Sequence, residues 1–314
     1  MFKYTKSEVI AIAREHNFIV NNTEKVLRLL SVFEFLSEMP YGKYLSLKGG
    51  TAINLFLFDL PRLSVDIDFD FSLNCSKDDL ISMRETIQKE IVAHMLDEGY
   101  SLSSKSKFVH ALDSFIFSYS TVSGSQDVLK IEINYSNRLH VLPIISDQRM
   151  FLKKESVSIR RLSDAELIGS KLNALITRTT SRDLYDAFNL FKKGIKNKNL
   201  VKKITIFYVV LGSEIPVSFD EVLEKCLINI KNTNYNKLRD TLIPVLRKDR
   251  LLDIEELKSY VASELKEMFI LDNNELEYIK KFNSGIFDQK LLFNDEVIEN
   301  LECHPMVIWK TRIK

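Results

Sequence analysis

A strand, a pair of glycines, a helix and a strand of alternating aspartates form the feature that most limits how this chain can fold. Residues 45–52 read Leu-Ser-Leu-Lys-Gly-Gly-Thr-Ala, and the segment 52–58 that follows is apolar and has the length of a short helix. We therefore predict a strand, a glycine turn and a helix that begins at the turn. Glycines let backbone N–H groups approach a ligand, and a helix N-terminus adds partial positive charge, so this turn suits a phosphate.

The segment 65–71 alternates strictly between apolar and acidic residues. On a strand, its three aspartates (Asp66, Asp68 and Asp70) lie on one face and its apolar residues on the other. Like charges on one face repel unless water or a cation offsets them, and carboxylate oxygens suit Mg²⁺ or Mn²⁺. A glycine pair alone is usually a simple turn, and alternating aspartates alone are usually a solvated face. The two in succession indicate a phosphate and metal site.

This order of elements resembles the core of the nucleotidyltransferase superfold. The fuller strings, Lys48-Gly49-Gly50-Thr51-Ala52 and Arg62-x-Ser64-x-Asp66-Ile67-Asp68, more narrowly resemble the abortive-infection toxin family AbiEii, to which the MenT toxins are related. The resemblance implies that Asp66 and Asp68 are catalytic metal ligands, with Asp70 ranked below them. It also implies a nucleotide-binding set made of Lys48, Gly49, Gly50, Thr51, Arg62 and Ser64.

A later segment, 127–135, offers a third carboxylate. Lys130 and Glu132 alternate there with apolar residues, so they share one face of a predicted strand. The segment alone favours a half-exposed surface strand. Nucleotidyltransferases, however, place a third acidic residue between two apolar residues on a neighbouring strand, and Glu132 fits that pattern. The resemblance thus implies Glu132 as a catalytic metal ligand, with Lys130 as a weaker candidate.

Two predicted helices after residue 160 carry a second group of charged residues. A capping box, Ser163 to Glu166, begins a helix on whose apolar stripe Lys171 lies. A lysine there either extends to the rim or has an anionic partner, and both options stay open. The next helix is predicted to begin at Ser181 and to carry acidic residues in its first turn, where the helix dipole favours them in any case.

The same residues resemble the second conserved block of AbiEii, K-L-x-A followed by R-D-x-x-D-L. The resemblance implies that Lys171 binds the nucleotide phosphates and that Asp183 belongs to the catalytic site. It makes Arg178, Arg182 and Asp186 weaker candidates. Because a partly buried cation is costly without its ligand, we expect that removing Lys171 weakens NTP binding and leaves stability unchanged or higher.

Elsewhere the hydrophobic periodicity predicts further elements. Helices are expected over 6–19 and 23–38, separated by a turn at 21–23, and again from Ser76 to about Asp97, where Gly99 ends the helix. Strands are expected over 100–107, 114–121 and 127–135, with a hairpin turn at 123–125. The remainder, 200–314, is mostly helical in period.

Length and composition favour a globular α/β protein. Its 314 residues are 45% hydrophobic, and 9 Gly and 6 Pro leave no room for long linkers. We predict a nucleotidyltransferase domain over 1–155, with a mixed sheet and flanking helices, and a mainly helical lobe over 156–314 that completes the active-site cleft.

No signal peptide or membrane span is evident, and three distant cysteines suit a reducing compartment, so a cytoplasmic protein is expected.

The charge is unevenly distributed. The formal charge is +1, but the segment 153–203 holds thirteen Lys or Arg against five Asp or Glu. Such an excess fits solvated helix faces and a surface for RNA or nucleotide phosphates equally well.

The resemblance implies a toxin of a type IV toxin–antitoxin or phage-defence pair. Such an enzyme would use Mg²⁺ or Mn²⁺ to transfer nucleotides from an NTP to the tRNA 3′ end, releasing pyrophosphate and blocking translation and growth. A cognate antitoxin encoded nearby is expected not to contact it directly. Two alternatives stay open: transfer to a protein or small-molecule hydroxyl, and a nucleotide-binding regulator without turnover. The carboxylate set argues against the regulator, since binding alone does not need a metal cage.

Overall fold

A computed structural model describes residues 2–151, 155–293 and 300–312. The chain divides into two compact units. The first lies within Met1–Arg138, Ile144–Leu162 and Val245–Arg250, and the second within Leu139–Pro143, Ser163–Pro244 and Leu251–Lys314. Each unit is therefore assembled from segments that are separate in the sequence.

One mixed sheet organises the first unit. Its strands, in the described part of the chain, are β1 (Leu45–Lys48), β2 (Asp66–Phe71), β3 (Ser101–Leu102), β4 (Lys107–Val109), β5 (Leu112–Ser120), β6 (Gln126–Asn134), β7 (Ile145–Phe151) and β8 (Glu155–Arg161). They lie in the order β3-β5-β6-β2-β1-β8-β7, and β4 also pairs with β5. The pairs β2–β6 and β1–β8 are parallel, whereas β1–β2 and β5–β6 are antiparallel. The predicted α/β class with a mixed sheet is confirmed.

The helices of the first unit are α1 (Lys6–Glu15), α2 (Val20–Glu38), α3 (Gly49–Ala52) and α4 (Lys77–Asp97), and α3 continues as a π-helical turn over Ile53–Leu57. The prediction for α4 is confirmed, with Ser76 as its N-cap and Gly99 at φ +84° just beyond its end. The predicted turn at 21–23 is wrong. These residues lie inside α2, where the Thr23 hydroxyl donates to the Ile19 carbonyl, and the chain instead reverses at Asn17, which has φ +60°.

The apolar face of β2 forms the centre of this unit's core. Ile67, Phe69 and Phe71 are almost fully buried, and Phe33 on α2 packs edge-to-face on Phe69 with ring centroids 6.2 Å apart. Burial of this face fixes the register of β2, because a shift by one residue would turn the aspartates into the core. The aspartates therefore lie on the opposite face, as predicted.

A late segment of the chain completes the first unit. The Leu63 N–H donates to the Val245 carbonyl at 2.8 Å, and Arg62 forms an antiparallel bridge with Leu246. The Arg247 guanidinium donates to the Asp59 carbonyl at 2.8 Å. Residues 245–250 thus hold in place the loop that precedes β2.

The second unit is helical in the part the structure describes. Its helices are α5 (Asp164–Arg178), α6 (Ser181–Lys193), α7 (Lys198–Gly212), α8 (Phe219–Lys231), α9 (Tyr235–Thr241), α10 (Ile254–Met268), α11 (Asn273–Asn283) and α12 (Pro305–Arg312). Helix α5 packs closely on α7 because Gly169 has no side chain: a Cβ there would lie 2.5 Å from Ile204 Cγ2. Within residues 2–151, 155–293 and 300–312, no helix combines the length and the apolar character needed to cross a bilayer.

A buried carboxylate fastens residues 139–143 to the second unit. Glu166 is fully buried and accepts hydrogen bonds from the Val141 N–H at 2.9 Å, the Leu142 N–H at 2.8 Å and the Tyr208 hydroxyl at 2.5 Å. The sequence predicts that Glu166 forms a capping box with Ser163. The Ser163 half is present, since its hydroxyl accepts from the Glu166 N–H at 3.4 Å, but the Glu166 side chain is used elsewhere.

Candidate active site

The parallel pairing of β2 with β6 brings three predicted site carboxylates together. In this register Asp68 lies beside Glu132, and Asp66 lies beside Lys130. Neighbours in a sheet are about 5 Å apart and point to the same face, so Asp66, Asp68 and Glu132 form one acidic group. The predicted alternation of both strands is confirmed. The catalytic roles of these residues stay predictions.

The environment of Asp68 disfavours its charged form. Burial is the main cause that raises its pKa, to about 6, and the nearby carboxylates of Asp66 and Glu132 add to the rise. The ammonium groups of Lys48 and Lys130 oppose it. A cation placed beside a carboxyl group in this environment stabilises its charged form more than it would stabilise that of an exposed carboxyl group.

Two lysines flank the acidic strand. Lys48 Nζ on β1 lies 2.5 Å from Asp70 Oδ1, and Lys130 Nζ on β6 lies 2.8 Å from Glu132 Oε2. Asp70 is only 2% exposed, and its contact with Lys48 agrees with ranking it below Asp68 as a metal ligand. Burial acts to lower the pKa of Lys130, but its hydrogen bond to Glu132 and the surrounding carboxylates give a net rise.

The glycine turn lies against this acidic group. Helix α3 begins at Gly49, whose φ is +70°, and a Cβ at Gly49 would be 2.6 Å from Asp68 Oδ2. A Cβ at Gly50 would be 2.7 Å from Arg62 Nη2 and 3.2 Å from Ser64 Oγ. Both positions thus need glycine, the first for its conformation and both for lack of space.

Arg62 and Thr51 are held by backbone oxygens. Arg62 is 2% exposed, and its Nη1 donates to the Leu63 carbonyl at 2.9 Å. The Thr51 hydroxyl donates to the Asp66 carbonyl and so ties the helix α3 to the start of β2. The structure therefore groups every predicted nucleotide-binding residue of the first unit around the glycine turn and β2.

The carboxylates beside the glycine turn are hard ligands of the kind that divalent cations prefer. Within the described residues, no three His, Cys, Asp or Glu side chains are arranged as a ready-made metal site. Asp66 and Asp68 nevertheless offer two hard ligands, and Mg²⁺ is usually held by one or two carboxylates while water and substrate phosphates complete its shell. The residues present therefore fit a cation that binds together with an NTP.

The second group of predicted residues forms an ion-pair network within the second unit. Lys171 Nζ on α5 lies 2.9 Å from Asp183 Oδ1 and 2.8 Å from Asp186 Oδ2, both on α6. Arg178 Nε lies 2.7 Å from Asp183 Oδ2. Burial acts to raise the pKa of Asp183, but Lys171, Arg178 and the Thr180 hydroxyl together hold it well below its usual value.

One local expectation about this network is wrong, and one open question is answered. Helix α6 is capped by Thr180 rather than by Ser181, and the Ser181 hydroxyl donates to the Lys237 carbonyl instead. Of the two options for Lys171, the structure shows the anionic partner. Arg182 Nε donates to the Thr241 carbonyl at 2.9 Å, so this weaker candidate anchors α9.

The basic region is partly neutralised within the second unit. Carboxylates of α10 and α11 lie against three of its lysines, at 2.9 Å for Lys192–Glu256, 3.2 Å for Lys198–Glu264 and 2.6 Å for Lys202–Glu275. The positive charge on the surface is therefore smaller than the sequence count suggests.

A glycine turn followed by a strand of paired aspartates, beside a parallel strand that carries a glutamate, is the architecture of a nucleotidyltransferase. The family model described as "Nucleotidyl transferase AbiEii toxin, Type IV TA system" matches residues 31–259. The chain belongs to this family, whose members are NTP-dependent nucleotidyltransferases and the toxins of type IV toxin–antitoxin systems. The match includes both groups of charged residues.

A solved structure shows the same fold. The chain is similar to MenT4, a nucleotidyltransferase toxin from Mycobacterium tuberculosis H37Rv, with a TM-score of 0.65 and 15% sequence identity. The similarity covers 88% of this chain and 94% of that chain. Among curated proteins, none matches the sequence.

Proposed function

We propose that this toxin transfers nucleotides from an NTP to the 3′ end of tRNA with release of pyrophosphate, in a reaction that requires Mg²⁺ or Mn²⁺, and so blocks translation and growth. The observation that carries the proposal is the register of β2 and β6, which brings Asp66, Asp68 and Glu132 together beside the glycine turn. Binding a nucleotide without turnover would not need three carboxylates in one group.

The first unit supplies the groups that the reaction needs. Asp66 and Asp68 would hold the cation, and Glu132 would join them as a third ligand. A divalent cation bound there offsets phosphate charge and favours ionisation of the attacking hydroxyl. The backbone at Gly49 and Gly50 would lie along the triphosphate.

Arg62 would add a fixed positive charge beside the phosphates, because its guanidinium packs on Gly50 and is held by the Leu63 carbonyl. Thr51 and Ser64 would complete the phosphate-binding set. From the second unit, the family pattern assigns Lys171 to the nucleotide phosphates and Asp183 to the catalytic site.

The RNA acceptor rests on the family pattern and on the basic region 153–203. Ion pairs with α10 and α11 reduce the charge available to a phosphate backbone, so we expect RNA binding that is salt-dependent but of modest slope. The enzyme would act in the cytoplasm as half of a phage-defence pair. Its antitoxin would counteract it without direct contact.

Labelling identifies both the reaction and the acceptor. Purified protein is incubated with each α-labelled NTP in turn, together with total tRNA, cell protein or a metabolite extract, with Mg²⁺ or with EDTA. We expect label on the tRNA 3′ end, pyrophosphate in equal amount, and no label in EDTA or with Asp68→Asn. Label on protein or on a metabolite alone would favour the alternative acceptor. NTP binding with no labelled product at all would favour the regulator.

A further inference from the structure

Lys130 contacts a carboxylate of the proposed metal site, and a bound cation could replace that contact. It precedes Glu132 by two residues on β6, so the two side chains share a face. Lys130 Nζ lies 2.8 Å from Glu132 Oε2. On the neighbouring strand β2, the residue beside Lys130 is Asp66. The side chains of Lys130 and Glu132 are 36% and 24% exposed, so both have room to change partner.

A positive charge is needed at this place even before a metal binds. Asp66, Asp68 and Glu132 are neighbours on one face, and like charges at such distances repel. Lys48 lies beside Asp68 across β1 and β2 and adds positive charge from that side, although its ammonium group contacts Asp70. Lys130 offsets the negative charge from the β6 side, where its ammonium group pairs with Glu132 and the residue lies beside Asp66.

We propose that Lys130 is a stand-in cation. In the metal-free enzyme it holds Glu132 and stabilises the acidic group, and it gives up Glu132 when a divalent cation binds at Asp66 and Asp68. The inference rests on the proposed metal-dependent function and adds a positioning residue to it. Two positive charges next to one carboxylate disfavour each other, so Lys130 lowers the affinity for free metal while it protects the metal-free fold.

The test measures metal binding rather than turnover. Mn²⁺ alone is titrated into wild type, Lys130→Met and Lys130→Arg, and free Mn²⁺ is followed by electron paramagnetic resonance. Lys25→Met is the matched control, because Lys25 Nζ also lies 2.8 Å from a carboxylate of β6, that of Asp127, outside the site. Asp68→Asn shows whether the titration reports the proposed site.

We expect Lys130→Met to bind Mn²⁺ about two- to fivefold more tightly than wild type, a change in keeping with a partly exposed ion pair. Lys130→Arg and Lys25→Met should bind like wild type. Without metal, the melting temperature of Lys130→Met should be lower than that of wild type. Saturating Mn²⁺ should make the difference between the two melting temperatures smaller. The melting temperature of Lys25→Met should not respond to Mn²⁺ in this way.

Two results would overturn the inference in distinguishable ways. If Asp68→Asn abolishes Mn²⁺ binding but Lys130→Met binds equally or more weakly than wild type, Lys130 is not a stand-in cation and the proposed metal site survives. If neither wild type nor Lys130→Met binds Mn²⁺, or if binding ignores Asp68→Asn, the inference fails, because no cation displaces Lys130 in the absence of an NTP. The metal dependence of transfer is then decided separately, by the EDTA arm of the labelling experiment.

Discussion

Lys171 on α5 and Asp183 on α6 form an ion pair inside the second unit, with 2.9 Å between Nζ and Oδ1 and exposures of 5% and 1%. Asp186 is equally buried, and its carboxylate forms a second ion pair with the Lys171 ammonium group. Removing one member of a buried pair leaves the other charge uncompensated, which is far more costly than losing an exposed pair. We therefore expect Lys171 to be important for folding whatever it does for the nucleotide. The two buried ion pairs argue against the sequence-based expectation that removing Lys171 preserves or raises stability.

Lys171→Met should lower the free energy of unfolding by about 3 kcal/mol, the lower end for breaking a buried pair, because Arg178 still compensates Asp183. Urea unfolding followed by circular dichroism measures the change. Arg178→Met is the control: it removes a partner of the same carboxylate whose side chain is 62% exposed, so its cost should be clearly smaller. Equal stability of Lys171→Met and wild type would refute the structural role.

Asp183 should make stability depend on acid pH. Its pKa is held below the usual value in the folded protein, so the folded carboxylate stays ionised where the unfolded one takes up a proton. The stabilisation is complete above the unfolded pKa of about 4 and is lost as the pH falls towards the folded pKa. Between pH 6 and pH 3, wild type should lose more unfolding free energy than Asp183→Asn. If the unfolding free energies of wild type and Asp183→Asn fell by the same amount over this pH range, Asp183 would not be the source of the acid dependence.

Asp68→Asn should abolish nucleotide transfer and leave the fold intact. The substitution removes a metal ligand, but it also removes a charge that burial, Asp66 and Glu132 destabilise, so the melting temperature should equal or exceed that of wild type. Transfer of labelled nucleotide and thermal unfolding are measured on the same preparation. Full transfer by a well-folded Asp68→Asn protein would remove Asp68 from the site.

Gly50→Ala should impair transfer through Arg62. The new methyl group would lie 2.7 Å from Nη2 of a guanidinium that is almost fully buried, so Arg62 must move from its place beside the turn. Gly212→Ala is the matched control, since a Cβ there meets nothing within 4 Å and the residue ends helix α7 without a positive φ. We expect reduced NTP affinity for Gly50→Ala. The NTP affinity of Gly212→Ala should equal that of wild type. Unaltered NTP affinity in Gly50→Ala would separate the turn from nucleotide binding.

The sequence predicts features that depend on a few neighbouring residues, but it does not predict contacts between distant segments. The alternation on β2 and β6 located Asp68 and Glu132 on strand faces, because the period of a strand is visible in a few residues. Strands β7 and β8 were missed: β8 joins the sheet through a parallel pairing in which Leu47 meets Arg161, and no local pattern announces such a contact. The partner of Lys171 likewise depended on how two helices pack.

The return of residues 245–250 to the first unit has a consequence for synthesis. Arg62 needs its bridge to Leu246, and Leu63 needs the Val245 carbonyl, yet the ribosome makes those partners only after most of the second unit. A nascent chain that already contains Asp66, Asp68, Glu132 and Lys171 thus still lacks the segment that supports Arg62. We therefore expect this toxin to complete the surroundings of Arg62 only late in its own translation.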